Sequence, residues 1–286
     1  MNSPPFTIRT HLPLTLAAGH LPTCRLLLYL QPDRVYYLLQ SPREELAACR
    51  EFHNSSQISP ELFLRFVFEK EQLLCGTFLE TRVFVSTPLV SLIPDTYRDP
   101  EQHLRLSRLL LDDTALPEEV FTRRIPGEEA QALFMASPSL LHLLKHYLRS
   151  YTLSHVCIPV LQMARQLGRT NRSLLMLHLT DEALLAVALR EGQIRLCSAY
   201  TCRSVADQLY FVQMARKISL MEDILAPLFI CGESGNDPLS GEIATAFPGL
   251  QLPEYLSRST GADLSAAPYW KYAFLTESSS GTSTTH

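Results

Sequence analysis

A chain of 286 residues with 46% hydrophobic and 19% charged residues can bury a sizeable core, which excludes an intrinsically disordered protein. Its formal charge of -4, from 25 basic against 29 acidic residues, leaves no surplus of cations, so nucleic acid is a disfavoured partner. No apolar run approaches the ~18 residues that cross a bilayer, so membrane insertion is not expected. The first residues are broken by Pro4, Pro5 and Pro13 and lack the continuous apolar stretch of a signal peptide, so a cytoplasmic protein is expected. The length suits one large domain or two of about 130 residues.

In chain order, the first predicted element is a hairpin. Residues 26–30 and 35–39 are apolar and β-rich, and the turn Gln31-Pro32-Asp33 separates them. A third strand is expected over 46–52. Ser59 as N-cap and Pro60 at the first helical position then start a helix. Its apolar residues Leu62, Phe63, Phe66, Val67, Leu73 and Leu74 recur at helical spacing, and 82–87 returns to strand. Connecting elements follow: a helix from Pro100 to Leu111, strands over 120–124 and 132–135, and a helix from Pro138 to Arg149. A strand over 155–159 and a helix over 160–167 complete them.

The second half repeats the first. Strands over 174–179 and 184–189 flank the turn Thr180-Asp181-Glu182, and 193–200 is a third strand. Ser204 caps a helix with Asp207 three positions on, a capping-box arrangement, and Val205, Leu209, Val212 and Ala215 form its buried stripe. The returning strand is 227–231. Asp33 and Asp181 fall in equivalent turns, and Ser59 and Ser204 at equivalent caps. The recurrence predicts an internal duplication; the alternative is chance recurrence of two ordinary α/β segments. The expected organisation is a first subdomain with connecting elements over 1–150 and a second over 151–264. An aromatic segment over 265–276 and a disordered tail over 277–286 would complete the chain.

Three strands in hairpin order, a helix and a further strand, twice over, resemble the core of the actin-like ATPase fold. Hexokinases, Hsp70-type chaperones and a type IV pilus assembly protein share it. Ser86-Thr87-Pro88-Leu89-Val90-Ser91-Leu92-Ile93-Pro94 resembles a strand with a "TLVP"-like segment, and Pro227-Leu228-Phe229-Ile230-Cys231-Gly232 a "PL-x-L-x-G" strand. Leu196, Tyr200, Asp207 and Tyr210 match a further pattern, although Ser198 stands where Asn is usual. On these stretches the chain is similar to an uncharacterised bacterial family, domain-of-unknown-function family 3822, across residues 24–256. The resemblance implies an α/β protein with a duplicated ribonuclease H-like / actin-like ATPase fold, two mixed-sheet subdomains with helices. It implies no known activity.

An active ATPase of that fold is implied to hold phosphates in two hairpins, each with an Asp, and with a Gly that lets backbone N–H groups approach oxygens. Neither turn here contains Gly. Pro32 removes a donor, and Glu182 adds negative charge where a triphosphate would lie. Asp33 and Asp181 are therefore either metal-orienting carboxylates or turn residues, which Asp favours. Gly232-Glu233-Ser234-Gly235 follows the returning strand, where the fold has paired glycines at its adenosine site. Gly232, Ser234 and Gly235 are either a degenerate nucleotide site or a strand-to-loop turn.

His142 and His146 have a zinc-compatible helical spacing, but Lys145 and Arg149 share their face, and a solvated basic face is the reading. Arg165, Arg169 and Arg172 suit an anion site or a helix C-terminus. The seven cysteines, most placed in apolar strands as at Cys157 and Cys231, read as structural thiols, with no metal site. Tyr269, Trp270, Tyr272 and Phe274 form an aromatic cluster that is either docked on the protein's own core or a partner-binding clip.

The reading that follows is a non-catalytic adaptor or assembly factor, in effect a pseudoenzyme, acting through an unknown protein partner without a cofactor. The alternative is a degenerate ATP-binding protein or weak ATPase using ATP and Mg. A ribonuclease H-like nucleic-acid module is a further alternative; it needs clustered carboxylates, and Asp33, Glu45, Asp181 and Glu182 are split between the halves.

Overall fold

The structure, a computed structural model, describes residues 6–15, 18–43, 45–110, 119–219, 226–232, 245–246, 250–251 and 275. In chain order the elements are β1 (Thr7–Leu12), β2 (Arg25–Leu30), β3 (Arg34–Gln40), β4 (Leu46–His53), α1 (Pro60–Lys70), β5 (Glu80–Val85) and β6 (Val90–Pro94). Next come α2 (Pro100–Leu110), β7 (Glu119–Arg124), β8 (Ala130–Ala136), α3 (Pro138–Tyr147), β9 (Thr152–His155) and α4 (Cys157–Leu167). The last are β10 (Leu174–Leu179), β11 (Ala183–Arg190), β12 (Gln193–Thr201), α5 (Val205–Ile218), β13 (Leu228–Gly232) and β14 (Leu250–Gln251). Among the described residues no helix is long and apolar enough to cross a membrane.

The chain forms two compact units. One comprises Met1–Ser86, Thr114–Phe121 and Met135–Val156; the other comprises Thr87–Asp113, Thr122–Phe134 and Cys157–His286. The first unit carries a sheet in the order β1-β4-β3-β2-β5-β9. Strands β4, β3 and β2 are antiparallel neighbours, and β5 and β9 join in parallel. Strands β2 and β3 are buried along nearly their whole length, as expected of central strands covered on both faces. Helix α1 buries Phe63, Leu64, Val67 and Phe68, and leads into β5.

The second unit carries a sheet in the order β12-β11-β10-β13-β14. Its first three strands are again antiparallel, with β13 and β14 parallel. Helix α5 precedes β13 as α1 precedes β5. Leu175, Leu177, Leu179, Leu184, Ala186 and Ala188 from the sheet meet Val212 and Ala215 of α5 in one apolar cluster. A three-stranded sheet, β6-β8-β7, holds the connecting strands.

Several expectations need correction. Cys157, Ile158 and Pro159 were expected in a strand but form the first turn of α4, and the strand before it ends at His155. Pro159 is tolerated there because N–H groups in a first helical turn have no intrahelical acceptor. Helix α1 ends at Lys70, so Leu73 and Leu74 belong to a separate 3-10 turn, Gln72–Cys75. Of the apolar residues at helical spacing, Leu62 is 39% exposed, while Leu64 and Phe68, outside that set, are buried. Strand β1 has no counterpart in the sequence reading.

Candidate functional site

The hairpins that would hold phosphates can be compared bond for bond. Leu30 pairs with Val35 across β2–β3, and Leu179 with Leu184 across β10–β11, so the residues between them correspond one to one. Gln31 N donates to Arg34 O at 2.8 Å, and Thr180 N donates to Ala183 O at 2.9 Å. A second bond ties each turn to the end of the third strand. Asn54 N donates to Asp33 O, and Cys202 N to Glu182 O, both at 2.8 Å. The turns correspond as expected, but the aspartates do not. Asp33 matches Glu182, and Asp181 matches Pro32, a shift of one residue.

Each turn is further closed by side chains. In the second, Thr180 Oγ1 accepts from Ala183 N at 2.9 Å, and Gln208 Nε2 of α5 donates to Thr180 O at 3.4 Å. In the first, Asp33 Oδ2 accepts from Arg34 Nε at 3.2 Å and lies 3.8 Å from His53 Nε2. Arg34 also reaches Glu51 Oε1 at 3.2 Å, and His11 Nε2 lies 3.2 Å from Glu51 Oε2. The result is a network across β1, β3 and β4 in which Glu51 and Arg34 are buried. Burial by itself pushes the Glu51 carboxyl up, but the His11 hydrogen bond and the positive charges of Arg34 and Arg9 outweigh it and hold the group below its usual value. Sequence reasoning missed this network. Its signal was two charged residues, Arg34 and Glu51, inside strands that are mostly apolar and aromatic.

Two carboxamides near the turns carry buried polar atoms without a hydrogen-bond partner among the described residues: Nε2 and Oε1 of Gln31, and Oε1 of Gln208. Counted from the caps Ser59 and Ser204, the α1 position matching Gln208 is Phe63. The two halves thus differ in chemistry: Thr180 is bonded by an amide of α5, whereas the corresponding α1 position is apolar.

Gly232, at the end of β13, has φ +81° and cannot take a side chain. A Cβ there would lie 2.4 Å from Leu179 O and 3.0 Å from the ring of buried His178. The close approach of β13 to β10 therefore accounts for this glycine. Ser234 and Gly235 lie outside the described residues, as do Glu233, Tyr269, Trp270, Tyr272 and Phe274.

The remaining candidates resolve as structure. Asp207 completes the α5 cap: Ser204 Oγ accepts from Asp207 N at 3.1 Å, and Asp207 Oδ2 accepts from Arg203 N at 2.8 Å. Arg165 is bound to the Glu128 carboxylate and the Gly192 carbonyl, so it neither stands ready for an anion nor simply complements the end of α4. His142, Lys145, His146 and Arg149 lie exposed on one face of α3 and its end. All seven cysteines are free thiols. No group of three His, Cys, Asp or Glu residues with metal-holding geometry occurs among the described residues.

Residues 15–247 match the family described as "Protein of unknown function (DUF3822)". No curated protein matches the chain by sequence. Among solved structures, a Bacteroides thetaiotaomicron protein with actin-like ATPase fold and unknown function superposes with a TM-score of 0.74 at 14% identity, over 83% of this chain and 96% of that one. The PilM-PilN type IV pilus biogenesis complex gives a TM-score of 0.48 at 14% identity, over 79% of this chain and 85% of that one. The ethanolamine utilization protein EutJ from Carboxydothermus hydrogenoformans gives 0.38 at 12% identity, over 78% and 82%.

Proposed function

Because the chain belongs to the DUF3822 family and has the actin-like ATPase fold, we propose that it is a non-catalytic member of that fold that works as an adaptor or assembly factor through a protein partner. One observation carries the reading: both hairpins bond to themselves and to the end of the third strand. Phosphate binding in such a hairpin needs N–H groups turned outward and carboxylates available to a metal. Here Gln31 N and Thr180 N donate to carbonyls of their own turns, and Ala183 N donates to the Thr180 hydroxyl. Asp33 is held by Arg34. A triphosphate would have to break these bonds and open the turns without glycine. The shared strand order of the two sheets supports the companion reading that they arose by duplication.

Isothermal calorimetry with MgATP tests the proposal. The expected result is no saturable binding at micromolar nucleotide. A micromolar dissociation constant, or ATP turnover abolished by Asp181→Asn with the fold intact, overturns it in favour of a degenerate ATPase.

A further inference from the structure

One face of the first unit runs against the charge balance of the chain. Helices α1 and α3 pack side by side: the rings of Phe68 and Tyr147 stack at 4.8 Å, Ser139 Oγ donates to Glu61 at 3.0 Å, and Tyr147 OH donates to Glu69 at 3.4 Å. Outward from this seam stand Arg65 and Lys70 of α1 and His142, Lys145 and His146 of α3, all exposed. Arg149 just beyond α3 is also exposed and donates to Thr77 Oγ1 at 3.1 Å. None of these six makes an ion pair among the described residues, in a protein whose net charge is -4.

Like charges three and four positions apart on a helix destabilise it, and a face shaped only by solvation would intersperse acids at that spacing. The stripe His142, Lys145, His146, Arg149 has none. The helix dipole accounts for Lys145 near the end of α3 but not for Arg65 in the middle of α1. Arg65 lies four positions from both Glu61 and Glu69 yet pairs with neither among the described residues, each being bound by a hydroxyl of α3 instead. Leu62 lies beside Arg65 with 39% of its surface exposed, an apolar contact at the edge of the basic face.

We propose that this α1–α3 face receives an acidic segment of a partner protein, with an apolar side chain of that segment meeting Leu62; this rests on the adaptor reading above. A peptide suits the face better than nucleic acid. Glu61 and Glu69 are fixed within it by hydroxyl donors, where an unbroken phosphate backbone would meet them. A polypeptide can place carboxylates against the cations and leave those two positions neutral.

The test is fluorescence anisotropy of the full-length protein with three probes: a labelled helical peptide of Glu and Leu at four-residue spacing, the same peptide with Glu replaced by Lys, and single-stranded RNA. The acidic peptide is expected to bind, to weaken with added salt, and to lose at least about tenfold in affinity to the charge-reversed double variant Arg65→Glu, Lys145→Glu. Both positions are exposed, and an unchanged melting temperature confirms that the variant is folded. Equal binding of the acidic and basic peptides, unaltered binding by the variant, no binding of the acidic peptide, or tighter binding of RNA each overturns the assignment. Calorimetry with MgATP on the same samples separates the two proposals. Failure of the peptide without nucleotide binding sinks this surface alone, whereas micromolar nucleotide binding sinks the adaptor reading whatever the peptide does.

Discussion

Glu51 is 1% exposed and is shared by two basic side chains, His11 from β1 and Arg34 from β3. Its carboxyl is held below the usual value, because the favourable charges and hydrogen bond outweigh burial. A depressed folded value means that the stabilisation is complete above the unfolded value of about 4.3 and is lost as pH falls through the lower folded one. The melting temperature should therefore drop between about pH 5 and pH 3, and Glu51→Gln should flatten that drop. Glu51→Ala at neutral pH should cost about 3–5 kcal/mol, since it removes the buried carboxylate paired with buried Arg34. A melting curve for Glu51→Ala equal to that of the unaltered protein would show the network to be energetically idle. Gly232 offers a second residue-scale test. Gly232→Ala forces a left-handed φ on a side-chain-bearing residue and drives a methyl into Leu179 O, so a loss of at least about 1–3 kcal/mol is expected by denaturant titration. A change below about 0.5 kcal/mol would show that β13 shifts freely away from β10.

At the scale of elements, the local signals that proved legible were those with a stereochemical cause. Ser59 and Ser204 cap their helices, each side chain accepting from the N–H three residues on, as the cap and Pro signals indicated. Ser59→Ala should cost about 1 kcal/mol, read as a fall of roughly 2–4 °C in melting temperature, and an unchanged value would mean water replaces the cap. The misplacements have physical reasons too. Strand β1, Thr-Ile-Arg-Thr-His-Leu, lies at a sheet edge with its first four residues exposed, so it shows no apolar alternation to read. The start of α4 was hidden because Cys157-Ile158-Pro159 is apolar and begins like a buried strand. Only its tertiary surroundings, which bury all three residues, separate the two states. The closure of the hairpins was half legible. Missing glycines could be counted, and the one-residue offset between Asp33 and Asp181 was already present in the turn sequences. The hydrogen bonds that tie each turn to the end of its third strand were not legible, because they depend on strand pairing rather than on turn composition.

At the scale of the whole molecule, the hairpin orders β2-β3-β4 and β10-β11-β12 were legible because they pair neighbouring segments of the chain, whereas the parallel partners β5, β9, β13 and β14 depend on distant pairing. The aromatic segment near the C-terminus tests how far the folded body extends. Of residues 268–275 the structure describes Leu275, which has no exposed surface. Burying one Leu side chain stabilises by about 1.5–3 kcal/mol, and each kcal/mol moves the melting temperature of a protein this size by roughly 2–4 °C. Deleting residues 265–286 should therefore lower the melting temperature by several degrees, with the first unit still protected in hydrogen exchange because its sheet and helices are drawn from other stretches of chain. The docked reading of Tyr269, Trp270, Tyr272 and Phe274, which lie outside the described residues, would add to that loss, and the clip reading would not. A truncated protein that melts unchanged but loses a co-purifying partner would sink the expected loss and leave the aromatic cluster in the role of a recognition segment.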